Sequence, residues 1–490
     1  MLTNLEVQRH RTAIGRTGLS RPVTLAIRDE LLQPGESLFD YGCGRGQDIT
    51  RLRSLGYHAS GWDPVHAPLQ PLVSADVVNL GYVVNVIENL DERANVVRKA
   101  WTLAKRVLIV AARLTWERTD ASGESHADGI LTRRKTFQKF FGQEELRAWL
   151  EEVLGEPAVA AAPGIFYVFR ARADAEGLRE RRLRRHPDPA PLRTNVRLAE
   201  AHKLELEDLA RFVKTHGRPP EPWELRSYDA LVGGYGSIKR AMSALSEGLS
   251  AAEIQSAAER TRGVVLVHLA LAAFRGRPLL KELPPSLQRD ITTFFGSYQA
   301  ARREADDLLF AVADRTKVEE SIATMNFGKR LPDALYFHVS GLTNAPPLIR
   351  VYEGCATILV GRVDSADVIK LNRIDRKVTY LSYPAFDTEA HPALAASIRC
   401  DLKSFDVRVR DFQSYANPPV LHRKDSIVPL DYPARGKFAR LTKQEERAGL
   451  LGAADIGNRH AWENRLQAAG FVVRGHRLLK MKPPEPDSAP

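Results

Sequence analysis

Short apolar runs alternate with amphipathic stretches through the first third of the chain. Glu36-Ser-Leu-Phe-Asp40, Ser74-Ala-Asp-Val-Val-Asn-Leu80 and Arg106-Val-Leu-Ile-Val-Ala-Ala112 carry nearly unbroken apolar cores, the pattern of strands buried on both faces of a parallel sheet. Tyr57-His-Ala-Ser-Gly-Trp-Asp63 reads as a short strand ending at Asp63, and Ile165-Phe-Tyr-Val-Phe169 as a late one. Pro22 to Leu32, Asp48 to Leu55, Asp91 to Ala104 and Gln143 to Leu154 read as helices. The alternation predicts an α/β fold, with a Rossmann-like domain over residues 30–172 and a basic arm and helix over 1–29.

The pattern then changes twice. Residues 173–195 hold a run of arginines followed by three prolines, which predicts a basic linker. Residues 196–325 are helical throughout and contain an internal echo: Arg218-Pro-Pro220 precedes Tyr235-Gly-Ser-Ile-Lys-Arg-Ala241, and Leu283-Pro-Pro285 precedes Phe295-Gly-Ser-Tyr-Gln-Ala-Ala301. Each echo predicts a helix-turn-helix-like unit in which Gly ends one helix and Ser caps the next. Residues 326–480 mix strand-like runs at Ala334–Val339, Thr357–Gly361 and Lys377–Ser382 with helical ones at Arg440–Leu451 and His460–Ala469, a mixed α/β C-terminal domain. The last ten residues, 481–490, are a disordered tail by composition.

The chemistry concentrates where the first strand ends. Asp40-Tyr-Gly42-Cys43-Gly44-Arg-Gly46-Gln-Asp48 is a glycine turn leading into a helix whose free N–H groups favour a polar or anionic ligand. About 20 residues further on, Asp63, followed by Pro64, sits where a carboxylate accepts ribose hydroxyls, which fits a dinucleotide or S-adenosylmethionine. The spacing Asp-x-Gly-x-Gly-x-Gly resembles class I methyltransferases. That resemblance implies S-adenosylmethionine as cofactor, held by Asp40, Gly42, Cys43, Gly44, Gly46, Asp48, Asp63, Pro64, Asp76 and Asn79. Only twelve residues separate Asp63 from Asp76, too few for a further helix and strand, so the acidic residue that commonly meets the adenine amine has no clear counterpart.

Composition narrows the setting. The 490-residue chain carries 71 Lys and Arg against 60 Asp and Glu, a formal charge of +11 that favours polyanionic partners, with DNA first among them. Arg181, Arg182, Arg184 and Arg185 in the linker, and Lys239 and Arg240 at the opening of the first echo's second helix, are the candidate phosphate contacts. Cys43, Cys355 and Cys400 have neither disulfide-framework nor zinc spacing, so no metal is expected and a reducing, cytoplasmic compartment is. The longest apolar run, Gly263–Phe274, falls short of the roughly 18 residues that suggest a membrane span.

Cytosine C5 methylation needs a thiolate after the fourth strand, and no cysteine lies between 44 and 354. Exocyclic amine methylation uses Asp/Asn/Ser-Pro-Pro-aromatic; Asn79-Leu-Gly-Tyr82 stands at the matching place without the prolines. Asn79, Tyr82, Asn85 and Glu88 are therefore the catalytic candidates, with His126 and Asp128 as further rim residues in the long segment Thr115–Phe141, read as a substrate lid.

Arg9-His-Arg-Thr-Ala-Ile14, Leu19-Ser-Arg-Pro22, Phe39-Asp-Tyr-Gly-Cys-Gly-Arg-Gly-Gln-Asp48, Gly61-Trp-Asp-Pro64 and Val78–Glu88 together resemble the DNA phosphorothioation-associated methyltransferase family. The similarity extends through Phe295-Gly-Ser-Tyr298, Gly328-Lys-Arg-Leu-Pro332 and Asn417–Lys424. It implies a bacterial setting beside DNA sulfur modification or phage defence, with defence-system proteins as partners, and it leaves the methyl acceptor open. A rival reading is a DNA-binding regulator or scaffold that binds S-adenosylmethionine without transferring a methyl group.

Overall fold

The computed structural model describes residues 12, 18–117, 124–132, 135–184, 203–245, 249–452 and 456–481. The first elements are α1 (Arg21–Arg28), β1 (Ser37–Tyr41), α2 (Gln47–Ser54), β2 (His58–Trp62), β3 (Ala75–Gly81), α3 (Leu90–Leu103) and β4 (Ala104–Ala111). Three short strands follow, β5 (Glu124–His126), β6 (Gly129–Leu131) and β7 (Phe137–Gln138), then α4 (Gln143–Leu154), β8 (Ala158–Ala162) and β9 (Ile165–Phe169).

β1 to β4, β8 and β9 form one sheet in the order β2-β1-β3-β4-β9-β8. β1 pairs in parallel with β2 and with β3, β3 in parallel with β4, and β9 antiparallel with β4 and β8. The chain moves outward from β1 in one direction to β2 and in the other to β3. The carboxyl ends of β1 and β3 therefore mark the point where an open α/β sheet leaves a crevice for a ligand. β3, β4, β8 and β9 are apolar on both faces because both faces are covered. Val78, Leu80, Leu108, Val110 and Phe166 pack with Val97 and Ala100 of α3 and Leu146 and Leu150 of α4. No strand lies between Trp62 and Ala75, as the short spacing required.

The helical elements are α5 (Arg172–Leu183), α6 (Lys203–His216), α7 (Tyr228–Tyr235), α8 (Ile238–Leu245), α9 (Ala251–Ala272), α10 (Pro285–Phe295), α11 (Tyr298–Ala311) and α12 (Arg315–Ala323). With Ala345–Tyr352 they form one of two compact units, spanning Arg172–Thr324. The linker reading of 173–195 changes accordingly: its first part is α5, with Leu178, Glu176 and Glu180 buried, and residues 185–195 lie outside the described residues. Both echoes take the same form. Gly236 (φ 77°) and Gly296 (φ 71°) end α7 and α10, and Ser237 and Ser297 accept from the N–H groups of Arg240 and Ala300.

The remaining elements are β10 (Lys329–Arg330), β11 (Ala334–His338), α13 (Pro347–Val360), β12 (Val368–Asn372), β13 (Lys377–Ser382), β14 (Ala396–Asp401), β15 (Asp406–Asp411), α14 (Lys424–Ile427), α15 (Arg435–Arg447), α16 (Arg459–Ala468), β16 (Phe471–Arg474) and β17 (Arg477–Lys480). β10 to β15 form an antiparallel meander in sequence order. Thr357–Gly361, expected as a strand, is instead the end of α13. Its β-branched residues follow a helix already begun at Pro347, and Gly361 (φ 74°) stops it. The Arg362 N–H donates to the Ala161 carbonyl and Arg28 pairs with Asp364 at 2.8 Å, so this meander and the N-terminal sheet belong to one compact unit.

Candidate functional site

The glycine turn leaves the buried end of β1 through residues that only glycine accommodates readily. Gly42, Gly44 and Gly46 have φ of 81°, 52° and 70°. A Cβ on Gly42 would stand 2.5 Å from Val83 Cγ2, so the wall after β3 closes directly onto the turn. The N–H groups of Gly42 and Cys43 donate to the Trp62 carbonyl, which ties the turn to the end of β2. Asp63, one residue on, accepts from the Gly44 N–H through Oδ2 (3.0 Å) and from Val65 and His66 through Oδ1 (2.9 and 2.8 Å). Three backbone donors thus hold that carboxylate in place before any ligand arrives.

Asp40 is 5% exposed, and its Oδ1 accepts from Asn79 Nδ2 at 2.8 Å across the β1–β3 register that sets Asp40 opposite Asn79. Asp48, also buried, takes the Ser20 N–H at 2.9 Å and fastens the start of α1 to the start of α2. Over these groups opens a cavity of about 1020 Å³. That is the upper end of the range of roughly 300–1,000 Å³ common for ligand pockets.

Of the residues expected at the cofactor, Asp40, Gly42, Cys43, Gly44, Asp48, Asp63, Pro64 and Asn79 line this cavity. Gly46 shapes the turn, as the left-handed residue before α2, without lining it. Asp76 does not belong to the site. It opens β3, where its carboxylate accepts from the Ser37 N–H and hydroxyl at 2.9 and 2.6 Å, and the parallel register places it at the amino ends of the strands. These hydrogen bonds from Ser37 hold its carboxyl below the usual range. Sequence proximity to Asn79 was misleading because the intervening strand separates the two ends of the sheet.

Among the catalytic candidates, Asn79, Tyr82 and Asn85 line the cavity, and Glu88 does not. Tyr82 has φ 62°, a strained conformation for a bulky residue, with its N–H held by the Ala111 carbonyl. Asn85 is 2% exposed and donates through Nδ2 to Gln138 Oε1 at 3.2 Å. The long segment expected as a lid contains the antiparallel strands β5 to β7, and Gln138 on β7 supplies part of the cavity wall. Asp128 is not a rim acid or base. It receives a two-pronged pair from the buried Arg93 at 2.7 and 2.9 Å, and that hydrogen bonding holds its carboxyl below the usual range. His126 lies edge-on to Phe137 and does not line the cavity.

Cys43 lines the cavity, yet burial, reinforced by the charges of Asp40 and Asp63, pushes its thiol up to about 12. It stays protonated at neutral pH and is no nucleophile. Leu19, Ser20 and Arg21, where the basic arm meets the start of α1, also line the cavity. One group of lining residues went unread in the sequence: Asn89, Glu92, Asn95 and Lys99, at the N-cap and along α3. It carried a legible signal, a polar stripe spaced by three and four residues on one helix face.

Of the candidate phosphate contacts, Arg184 is withdrawn: it is paired with Glu180 and, at 2.7 Å, with the buried Asp290. Arg181 and Arg182 lie in the last turn of α5, and Arg185 falls outside the described residues. Lys239 and Arg240 are exposed in the first turn of α8. Among the described residues no group of His, Cys, Asp and Glu could hold a metal, and no helix is long and apolar enough to cross a membrane.

No family model and no curated protein matches the chain. Solved structures do. A 1,6-didemethyltoxoflavin-N1-methyltransferase from Burkholderia thailandensis, with S-adenosylhomocysteine bound, is 13% identical over 34% of this chain and 79% of its own, with a TM-score of 0.24. A SAM-bound amino pentose methyltransferase from Micromonospora echinaspora is 18% identical over 33% of this chain and 94% of its own, TM-score 0.25. Magnesium protoporphyrin IX methyltransferase from Synechocystis PCC 6803, with S-adenosylhomocysteine, is 16% identical over 33% and 93%, TM-score 0.24.

Proposed function

We propose that this chain is a methyltransferase that uses S-adenosylmethionine. The observation that carries the reading is the placement of the glycine turn, Asp40 and Asp63 at the carboxyl ends of β1 and β2, beside a cavity that continues past Tyr82 and Asn85. The residues fit the group: the turn admits close approach, the fixed Asp63 carboxylate can accept ribose hydroxyls, and the first N–H groups of α2 favour polar atoms.

When bound, S-adenosylmethionine supplies a methyl group on a sulfonium, open to in-line displacement by a nucleophile. The chain's task is alignment, for which proximity and orientation supply most of the acceleration. Asn79 and Asn85 would orient the acceptor through their amides, and Tyr82 would give it a flat face. The DNA side of the reading rests on the sequence resemblance and on the exposed Lys239 and Arg240, with partners drawn from a phosphorothioation or phage-defence system. Incubation with tritiated S-adenosylmethionine and DNA, RNA and protein fractions should label one fraction, and Asp63→Ala should abolish the label. Binding without label in any fraction would favour the regulator.

A further inference from the structure

Positive charge gathers near the carboxyl end of the chain. Residues 435–480 hold ten Lys and Arg against four Asp and Glu, so under a tenth of the chain carries more than half of its net +11. They fold as α15, α16 and the β16–β17 hairpin, and hydrogen bonds fix these elements to one another. Arg465 on α16 donates to the Gly449 and Leu450 carbonyls, just past α15, at 2.7 Å. The Leu478 N–H of β17 donates to Gln444 of α15 at 3.0 Å, and the Met481 N–H returns to the Gly470 carbonyl, where α16 ends, at 2.8 Å. At the hairpin tip, Lys424 of α14 donates to His476 at 3.0 Å.

Two placements on this frame cost free energy. The hairpin register sets Arg474 directly opposite Arg477, and both are exposed. Like charges in facing positions repel, and among the described residues neither has an acid partner. The first turn of α16 carries Arg459 and no acid, against the preference of the helix dipole. A polyanion would relieve both.

The outward face of α16 narrows the kind of polyanion. His460, Asn464 and Gln467 are exposed at a spacing of four and three, opposite the buried Trp462. Imidazole and amide groups can both donate to and accept from base edges, and the major groove of duplex DNA admits a helix. Four residues of strand put Arg474 and Arg477 about 13 Å from the end of α16, close to the width of that groove. Single strands fit less well because they stack on exposed aromatic rings, and no Phe, Tyr or Trp in 435–480 is exposed. Duplex RNA closes its major groove to side chains.

We infer that α16 and the β16–β17 hairpin form a surface for duplex DNA, with the outward face of α16 toward the major groove and Arg474 and Arg477 on flanking phosphates. The inference rests on the DNA side of the proposed function and deepens it, giving that partner a surface other than Lys239 and Arg240. It does not depend on methyl transfer.

Fluorescence anisotropy with the full chain and a labelled mixed-sequence duplex two helical turns long tests it. Arg474→Gln/Arg477→Gln should bind about tenfold more weakly, with a salt slope shallower by about two. Its melting temperature should hold or rise, since a repulsion is removed. Arg408→Gln/Arg410→Gln takes the same charge from exposed positions on β15 and should leave binding nearly unchanged. Gln467→Glu keeps the shape, sets a carboxylate toward the DNA and should weaken binding about tenfold. Equal losses from the hairpin and β15 variants, or no loss from the hairpin variant or Gln467→Glu, overturn this surface while DNA binding stands. Competition by single-stranded DNA, duplex RNA or phosphatidylserine vesicles as strong as by unlabelled duplex overturns it as well. Wild-type protein that binds no duplex overturns it together with the DNA side of the proposed function and leaves the methyltransferase reading intact.

Discussion

At the scale of the residue, the site depends on atoms fixed before ligand binding. Asp63 is held by three backbone N–H groups, so its removal costs the anchor of the turn and, on the proposed reading, a ribose contact as well. Asp63→Asn, which preserves shape but cannot accept through both sides, should weaken S-adenosylhomocysteine by about tenfold or more in calorimetry. Gly42→Ala meets two obstacles at once, a φ of 81° and a 2.5 Å approach to Val83. The expected result is a loss of about 1–3 kcal/mol of stability together with weakened binding, read by thermal unfolding with and without ligand. Cys43→Ser should retain methyl transfer at neutral pH, since the thiol is held protonated. An inactive Cys43→Ser enzyme that still binds cofactor would contradict that.

At the scale of the element, buried charge holds the helical unit together. Asp290 is fully buried in the middle of α10 and accepts from Arg184 at 2.7 Å and Arg218 at 2.6 Å, while Arg218 also pairs with Glu224. Arg218, which opens the Arg-Pro-Pro segment of the first echo, is the centre of this network. Asp290→Ala leaves Arg218 with Glu224 alone and Arg184 with Glu180 alone, in a buried site, and should destabilise the unit by about 1–3 kcal/mol, measured as lost amide-exchange protection in α6 and α10. Unchanged protection there would mean that water or neighbouring carbonyls replace the acid. The pair Arg93–Asp128 does similar work for β5 to β7, joining that small sheet to α3.

At the scale of the whole molecule, the C-terminal meander and its helices bring together histidines that are far apart in sequence. His391 and His422 lie 4.7 Å apart, each against Trp462, and His391 meets Glu445 at 2.8 Å. Burial pushes His391 down to about 3 and His422 to about 4. A histidine depressed from 6.5 gives stability that is full above that value and is lost as pH falls toward the folded one. Burial raises Glu445 to about 7, which acts the other way, giving stability below 4.5 that is lost as pH rises through 7. Two histidines outweigh one carboxyl, so the melting temperature should fall between about pH 6.5 and 4, and His422→Phe should flatten the slope. A wild-type melting temperature independent of pH across that window would refute this account. Lys424, lowered to about 7 by burial and hydrogen-bonded to the Phe386 and Glu389 carbonyls, adds stability above 10.5 that is lost as pH falls through 7.

Local chemistry carried the first third of the chain well. α4 and β9 occupy the spans their periodicity indicates, because a strand buried on both faces and a one-sided helix leave different spacings of apolar residues. The glycine turn and Asp63 were legible for a related reason: their backbone demands limit which residues can stand there. What depends on which ends of distant strands meet was not legible. Asp76 and Asn79 look like neighbours in the chain yet stand at opposite ends of β3, Arg184 reads as a free cation until Asp290 arrives from 106 residues away, and Thr357–Gly361 has strand-forming residues inside a helix. Strand direction, burial of charge and the pairing of remote side chains are properties of the packed chain, so only the tertiary structure could assign those residues their roles.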